Sequence, residues 1–151
     1  TIHVFKGIRY GKPPTGHMRY KRPEKAEKWT HVYDATTEKS ECWQIKLNPK
    51  TRKLSEDCLF VNVWSHDNST QQKSVVVWFY GGGLQTGSIW GNLFNALPIA
   101  TLDVVVVTVN YRVGPWGFLY GGNDDAPGNV GLYDQLLALN WVRIWLQFYQ
   151  I

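Results

Sequence analysis

Apolar residues along the chain gather into a few short, dense runs separated by polar or glycine-rich stretches, and the spacing inside each run predicts its element. Ser74 to Tyr80 and Val104 to Tyr111 are β-branched runs with almost no polar interruption, the pattern of strands covered on both faces in a mostly parallel sheet. Leu59 to Trp64 alternates, which predicts a half-buried strand with Leu59, Val61 and Val63 on one face and Phe60, Asn62 and Trp64 on the other. Polar residues from Ser65 to Lys73 read as a loop. Behind Pro127-Gly128-Asn129, the residues Leu132, Leu136, Leu139, Val142 and Leu146 recur at helical spacing. They predict an amphipathic helix of about five turns, capped by Asn129 and running through Tyr149. From Val4 to Tyr33, Gly7, Gly11, Pro13, Pro14, Gly16 and Pro23 interrupt every apolar stretch, so turns and short edge strands are expected there and no long helix.

Strand, glycine loop, strand, glycine loop and helix, in that order, belong to the α/β class, with helices laid on a twisted sheet. No internal repeat or linker divides the chain, and 151 residues is about one domain. A hydrophobic share of 44% against 19% charged residues excludes a disordered chain. No apolar run approaches the roughly 18 residues of a membrane-spanning helix. Thr1 opens directly into structured-looking sequence, without an initiator Met or a signal segment, so the gene product is expected to begin upstream. Residues 1 to 73 carry 14 basic and 8 acidic side chains, while residues 74 to 151 carry 2 and 4. In the basic half Lys21, Arg22, Lys25 and Lys28 alternate with Glu24 and Glu27, the mark of a solvated face, and no nucleic-acid-binding motif accompanies them. Nucleic acid is therefore not an expected partner.

Cys42 and Cys58 enclose a polar segment of 15 residues, a spacing that suits either a disulfide in an oxidising compartment or two free buried thiols. Asn68-Ser69-Thr70 is an acceptor sequence for N-glycosylation, and with the cysteines it points outside the cytosol. The strand ending at Tyr80 runs straight into Gly81-Gly82-Gly83. Such a triplet presents backbone N–H groups without side-chain obstruction, as an anion cradle or an oxyanion hole needs, and it also suits a plain turn. It is no P-loop, because no Gly-Lys-Ser/Thr follows, and it lacks the spacing of a dinucleotide fingerprint.

Five ordered blocks together resemble the N-terminal part of the type B carboxylesterase and cholinesterase family of α/β-hydrolases. They are Phe5 to Tyr10 with Pro13-Pro14 and Met18 to Pro23, Ser55-Glu56-Asp57-Cys58-Leu59 continuing to Trp64, Trp78 to Gly83, Asn110 to Gly114, and Ala126 to Leu132 with Asp134-Gln135. The resemblance covers nearly the whole chain. It implies the N-terminal portion of an α/β-hydrolase fold, with a mostly parallel central sheet and an irregular antiparallel edge, residues 1–151 forming a partial domain. It implies a serine esterase in which a Ser attacks an ester carbonyl, a His assisted by an acid activates it, and backbone N–H groups hold the oxyanion. In that picture Gly82 and Gly83 are the oxyanion-hole donors beside the supporting Gly81. Cys42 and Cys58 then form the first disulfide, and Arg19 and Glu56 form a structural ion pair. Neither metal nor cofactor is implied. The partner is a small carboxylic ester, and a homo-oligomer is left open.

The sequence departs from that family at three places. No Ser stands in a Gly-x-Ser-x-Gly elbow, and His3, His17, His31 and His66 all precede the glycine triplet, so no triad member is expected in this chain. The acid Asp134 is read as a carboxylate at the positive end of a helix. After Arg143 the family continues with polar residues and closes the helix with Gly-Gly-Asp-Pro, where this chain reads Ile144-Trp145-Leu146-Gln147-Phe148-Tyr149. That Asp is the family partner of the Arg matching Arg112, so Arg112 is expected to lack its partner. Leu47 stands where cholinesterases carry the Trp that holds a quaternary ammonium by cation–π attraction, which argues against a choline ester unless Trp43 or another aromatic substitutes. The expected function is a secreted or surface-exposed carboxylic ester hydrolase whose oxyanion hole lies in this chain. The rivals are a non-catalytic adhesion protein of the same fold and a truncated product without a stable fold.

Overall fold

A computed structural model of the chain describes residues 1–45, 53–66, 73–90 and 95–149, with side chains in the last helix described as far as Trp145. Its centre is a four-stranded sheet of β1 (Ile2–Arg9), β4 (Phe60–His66), β6 (Val105–Val109) and β5 (Val75–Phe79), in that spatial order. Two short pairs lie outside it, β2 (Glu41–Cys42) with β3 (Leu54–Ser55) and β7 (Tyr120–Asn123) with β8 (Ala126–Pro127). The helices are α1 (Leu97–Ala100), α2 (Gly114–Phe118) and α3 (Val130–Tyr149).

The sheet is mixed where a mostly parallel one was expected. β1 pairs antiparallel with β4 and β4 antiparallel with β6, so within this sheet, among the described residues, β5 and β6 alone run parallel. The parallel pair is the one that a long connection through α1 separates, as parallel strands require. The irregular antiparallel edge is β1, longer than the short edge strands the Gly and Pro pattern suggested. Its register shifts between Phe5 and Ile8, where Gly7 takes φ +69° and donates its N–H to Asn62 Oδ1 at 2.9 Å.

Val61 and Val63 of β4 and Val105, Val107 and Val109 of β6 face one side, where they pack with Leu59, the Cys42–Cys58 pair, Ala138 and Val142. Trp64 and Val106 face the other, against Ala96 and Ala100. Both faces of β4 are thus covered and its residues from Phe60 to Ser65 are all buried, against the half-buried expectation. The opposite correction applies to β5. No strand pairs with its outer edge among the described residues, and its side chains are only half-buried, with Val76 exposed.

The predicted helix is present, but it turns a different face inward. Val130, Asp134, Ala138 and Val142 are buried, while Leu132, Leu136 and Leu139 are exposed. Close approach decides this: a Cβ on Gly131 would lie 2.4 Å from the Arg112 carbonyl oxygen, so the helix docks through its smallest residues. An apolar count misses that face because it scores Asp134 as polar and Ala138 as weak. Among the described residues no helix is long and apolar enough to cross a membrane.

Candidate active site

The parallel strands β5 and β6 end side by side, and ligands of open α/β sheets bind outside such carboxyl ends. The residues that follow them, Tyr80 and Tyr111, form a reciprocal clasp. Tyr80 Oη donates to the Tyr111 carbonyl at 2.5 Å, Tyr111 Oη donates to the Tyr80 carbonyl at 2.7 Å, and the rings stack with centroids 4.4 Å apart. Burial pushes both phenols above their usual pKa, Tyr80 strongly, so each stays a neutral donor. The chain thus leaves β5 from a fixed point.

Gly81, Gly82 and Gly83 come next and are exposed. Gly82 takes φ +144°, and a Cβ there would stand 1.9 Å from the Thr86 carbonyl oxygen. Its own carbonyl accepts the N–H groups of Gln85 and Thr86, at 3.1 and 3.2 Å, which folds the loop back on itself. Gly83 takes φ +61°, the left-handed region open to glycine, and faces open space. Among the described residues neither the Gly82 nor the Gly83 N–H has a hydrogen-bond partner. Leu84 accepts the Gly114 N–H at 2.7 Å, which ties the loop to the start of α2.

Gln44 fixes the far end of the loop, a role the sequence did not reveal. Its Nε2 donates to the Gly87 carbonyl at 2.8 Å and its Oε1 accepts the Gly87 N–H at 2.7 Å. Nothing in the spacing pairs residue 44 with residue 87; the one hint was a Gln placed two residues after Cys42. The fully buried Asn110 supports the same segment: its Oδ1 accepts the Ile89 N–H at 3.4 Å, and its Nδ2 donates to Cys58 O at 3.0 Å. Ser88, inside the loop, is buried and accepts the Trp90 N–H through Oγ at 3.1 Å.

Cys42 and Cys58 are joined by a disulfide. It carries Gln44 toward the loop and sets Leu59 at the start of the core. Arg19 meets Glu56 through two hydrogen bonds, Nε at 2.5 Å and Nη2 at 2.9 Å. Trp116 Nε1 adds a third to Glu56 at 3.2 Å and stacks on Trp43 with centroids 5.7 Å apart. The open cavity around them, about 520 Å³, is lined by Arg19, Tyr20, Trp43 and Trp116 among others, and by no residue of the glycine loop. Leu47, in segment 46–52, and Asn68, in segment 67–72, lie outside the described residues.

Arg112 has a partner, against expectation. Asp134 Oδ2 accepts the Arg112 Nε at 2.8 Å and its backbone N–H at 3.0 Å, and Oδ1 accepts Nη2 at 2.8 Å, all buried. Asp134 thus acts through this pair and not only as a carboxylate near a helix start. Arg112 Nη1 is buried with no partner among the described residues. His3, His17 and His31 are exposed, and the His66 ring nitrogen lies 2.7 Å from the Ala100 carbonyl oxygen.

The model of the Carboxylesterase family matches residues 1–149. A cholinesterase of Mus musculus is 43% identical over 95% of this chain and 26% of its own length. An acetylcholinesterase of Danio rerio is 43% identical over 98% of this chain and 26% of its own, and acetylcholinesterase 4 of Caenorhabditis briggsae is 38% identical over 94% and 25%. The chain thus spans about a quarter of the length of the curated relatives it matches. On the extent of these matches, the chain belongs to the carboxylesterase family of α/β-hydrolases.

Proposed function

We propose that this chain supplies the oxyanion hole of a serine carboxylesterase, with Gly82 and Gly83 N–H groups as donors and Gly81 leaving their approach clear. The observation that carries this reading is the pair of N–H groups on the exposed Gly82 and Gly83, without a partner among the described residues, at the carboxyl end of β5 on a loop held at Tyr80 and at Gly87. Donors fixed before the reaction stabilise the developing oxyanion without reorganising, which is where most of such a hole's effect arises. The chain contains no Gly-x-Ser-x-Gly elbow, so the 151 residues alone are proposed to be inactive, with nucleophile, acid and His supplied from outside them. In a full-length protein Gly83→Val, which places a branched side chain in the open space, is expected to lower kcat on the order of 10²-fold or more. Unchanged turnover would overturn the assignment.

The substrate is a carboxylic ester. The relatives' names point to choline esters, but Leu47 cannot offer a quaternary ammonium the ring face that cation–π attraction requires. A simple aliphatic or aryl ester is therefore proposed, and a strong preference for choline esters in a full-length protein would show the Leu47 argument wrong. The disulfide supports a secreted or extracellular setting. There Asn68 is a proposed glycan site, which an unchanged mass after N-glycosidase treatment of secreted material would exclude.

A further inference from the structure

Lined by no residue of the glycine loop, a cleft of about 600 Å³, within the range of small-molecule sites, lies between the strand-poor segment 25–29 and the C-terminal half of α3. Its long wall is a single helix face: Leu137, Trp141, Ile144 and Trp145 follow one another over two turns, a track of about 12 Å. The Trp141 and Trp145 rings stack at 5.0 Å, and Trp29 closes the opposite side. Ile144 and Trp145 stand where the family resemblance led to polar residues, so this apolar track belongs to this chain's own sequence.

The rim is charged, with a positive excess. Lys25 and Lys28 are exposed and form no ion pair among the described residues. Glu27 also lies on the rim, its side chain 85% exposed and 3.8 Å from a Lys12 Nζ that Glu24 already holds at 3.0 Å, so the two free lysines exceed it by one positive charge. Arg9, at the base, is committed to Asp57 through two hydrogen bonds of 2.6 and 2.9 Å. An elongated apolar track accommodates an extended alkyl chain better than a compact ring system, and two uncommitted ammonium groups select an anionic head.

We propose that this cleft binds a fatty-acid carboxylate, the alkyl chain lying along Leu137, Trp141, Ile144 and Trp145 and the carboxylate held at the rim by Lys25 and Lys28. The site is separate from the proposed oxyanion hole and does not depend on esterase activity. Isothermal titration calorimetry of the intact protein with laurate, below its micelle concentration, tests it. Laurate is expected to bind in the micromolar range, and dodecyltrimethylammonium, of equal chain length and opposite charge, roughly tenfold more weakly. The double variant Lys25→Glu, Lys28→Glu is expected to weaken laurate about five- to tenfold, as two exposed ion pairs allow, and to leave dodecanol unchanged. Trp145→Gln is expected to weaken laurate and dodecanol alike, with near-ultraviolet circular dichroism confirming that each variant is folded. No laurate binding, equal binding of the two charged amphiphiles, or indifference of folded charge variants would each overturn the proposal. If a variant fails to fold, the comparison of amphiphiles on the unaltered protein still decides.

Discussion

Asp134 is fully buried, and Arg112 fills both its oxygens, so the pair joins the end of β6 to α3 across 22 residues of chain. Two charges removed from water are stable there only because each satisfies the other; a well-packed apolar pair of similar volume serves about as well. Removing one member is a different matter, because Arg112 already has one Nη without a partner among the described residues and would be left as an uncompensated charge. Asp134→Asn is expected to lower unfolding free energy by about 3–5 kcal/mol in urea titration, while Arg112→Met combined with Asp134→Leu loses less than the single change. Equal or greater loss in the double variant would mean that the pair stabilises the fold by more than mutual neutralisation. The same residues show why part of the site was hidden in the sequence. The glycine triplet was legible because unobstructed backbone is itself a chemical signal. The contacts Gln44 to Gly87 and Arg112 to Asp134 link residues 43 and 22 positions apart, and no local period encodes them.

At the scale of elements, α3 separates two kinds of information. Its existence and its start at Val130 were readable, because helical spacing and the Pro-Gly-Asn turn before it are local, although Asn129 takes φ +56° and not the extended backbone of an N-cap. Its orientation was not, because the face that docks is chosen by how closely a backbone can approach, through Gly131 and Ala138, and not by which positions are most apolar. The strands follow the same division: β4, β5 and β6 were all placed, but their coverage depends on neighbours distant in sequence. The two helix faces therefore answer differently to substitution. Leu136→Gln, on a side chain 53% exposed, is expected to change stability by no more than about 0.5 kcal/mol. Ala138→Leu, at a site with no exposure, is expected to cost about 1–3 kcal/mol by overpacking against β6. Thermal melts of the two variants check this, and a larger loss from Leu136→Gln would restore the leucine stripe as the docking face.

Across the whole molecule, the two halves that charge had distinguished meet at three buried phenols. Tyr10, from the basic half, donates to the Asn110 carbonyl at 2.7 Å, and Tyr80 and Tyr111 close the clasp ahead of the glycine loop. Burial raises the pKa of Tyr10 and Tyr80 well above 10.0, and for Tyr10 the nearby Asp134 adds to the effect. In the unfolded chain each phenol ionises near pH 10. Below that pH both states hold the proton and these groups make stability independent of pH. Above it the unfolded state releases protons that the folded state retains, so stability falls as pH rises, by about 1.4 kcal/mol per pH unit for each phenol until the folded state also ionises. Unfolding measured between pH 9 and pH 11 is expected to show this decline. Tyr80→Phe lowers stability at every pH, because it removes the donor to Tyr111, yet it is expected to make the decline shallower, since one phenol no longer contributes. The slope, and not the absolute stability, is the decisive quantity: an unchanged slope in Tyr80→Phe would mean that the Tyr80 phenol is hydrated or ionises readily in the folded chain, and that the clasp does not hold the start of the loop as a dry, fixed support.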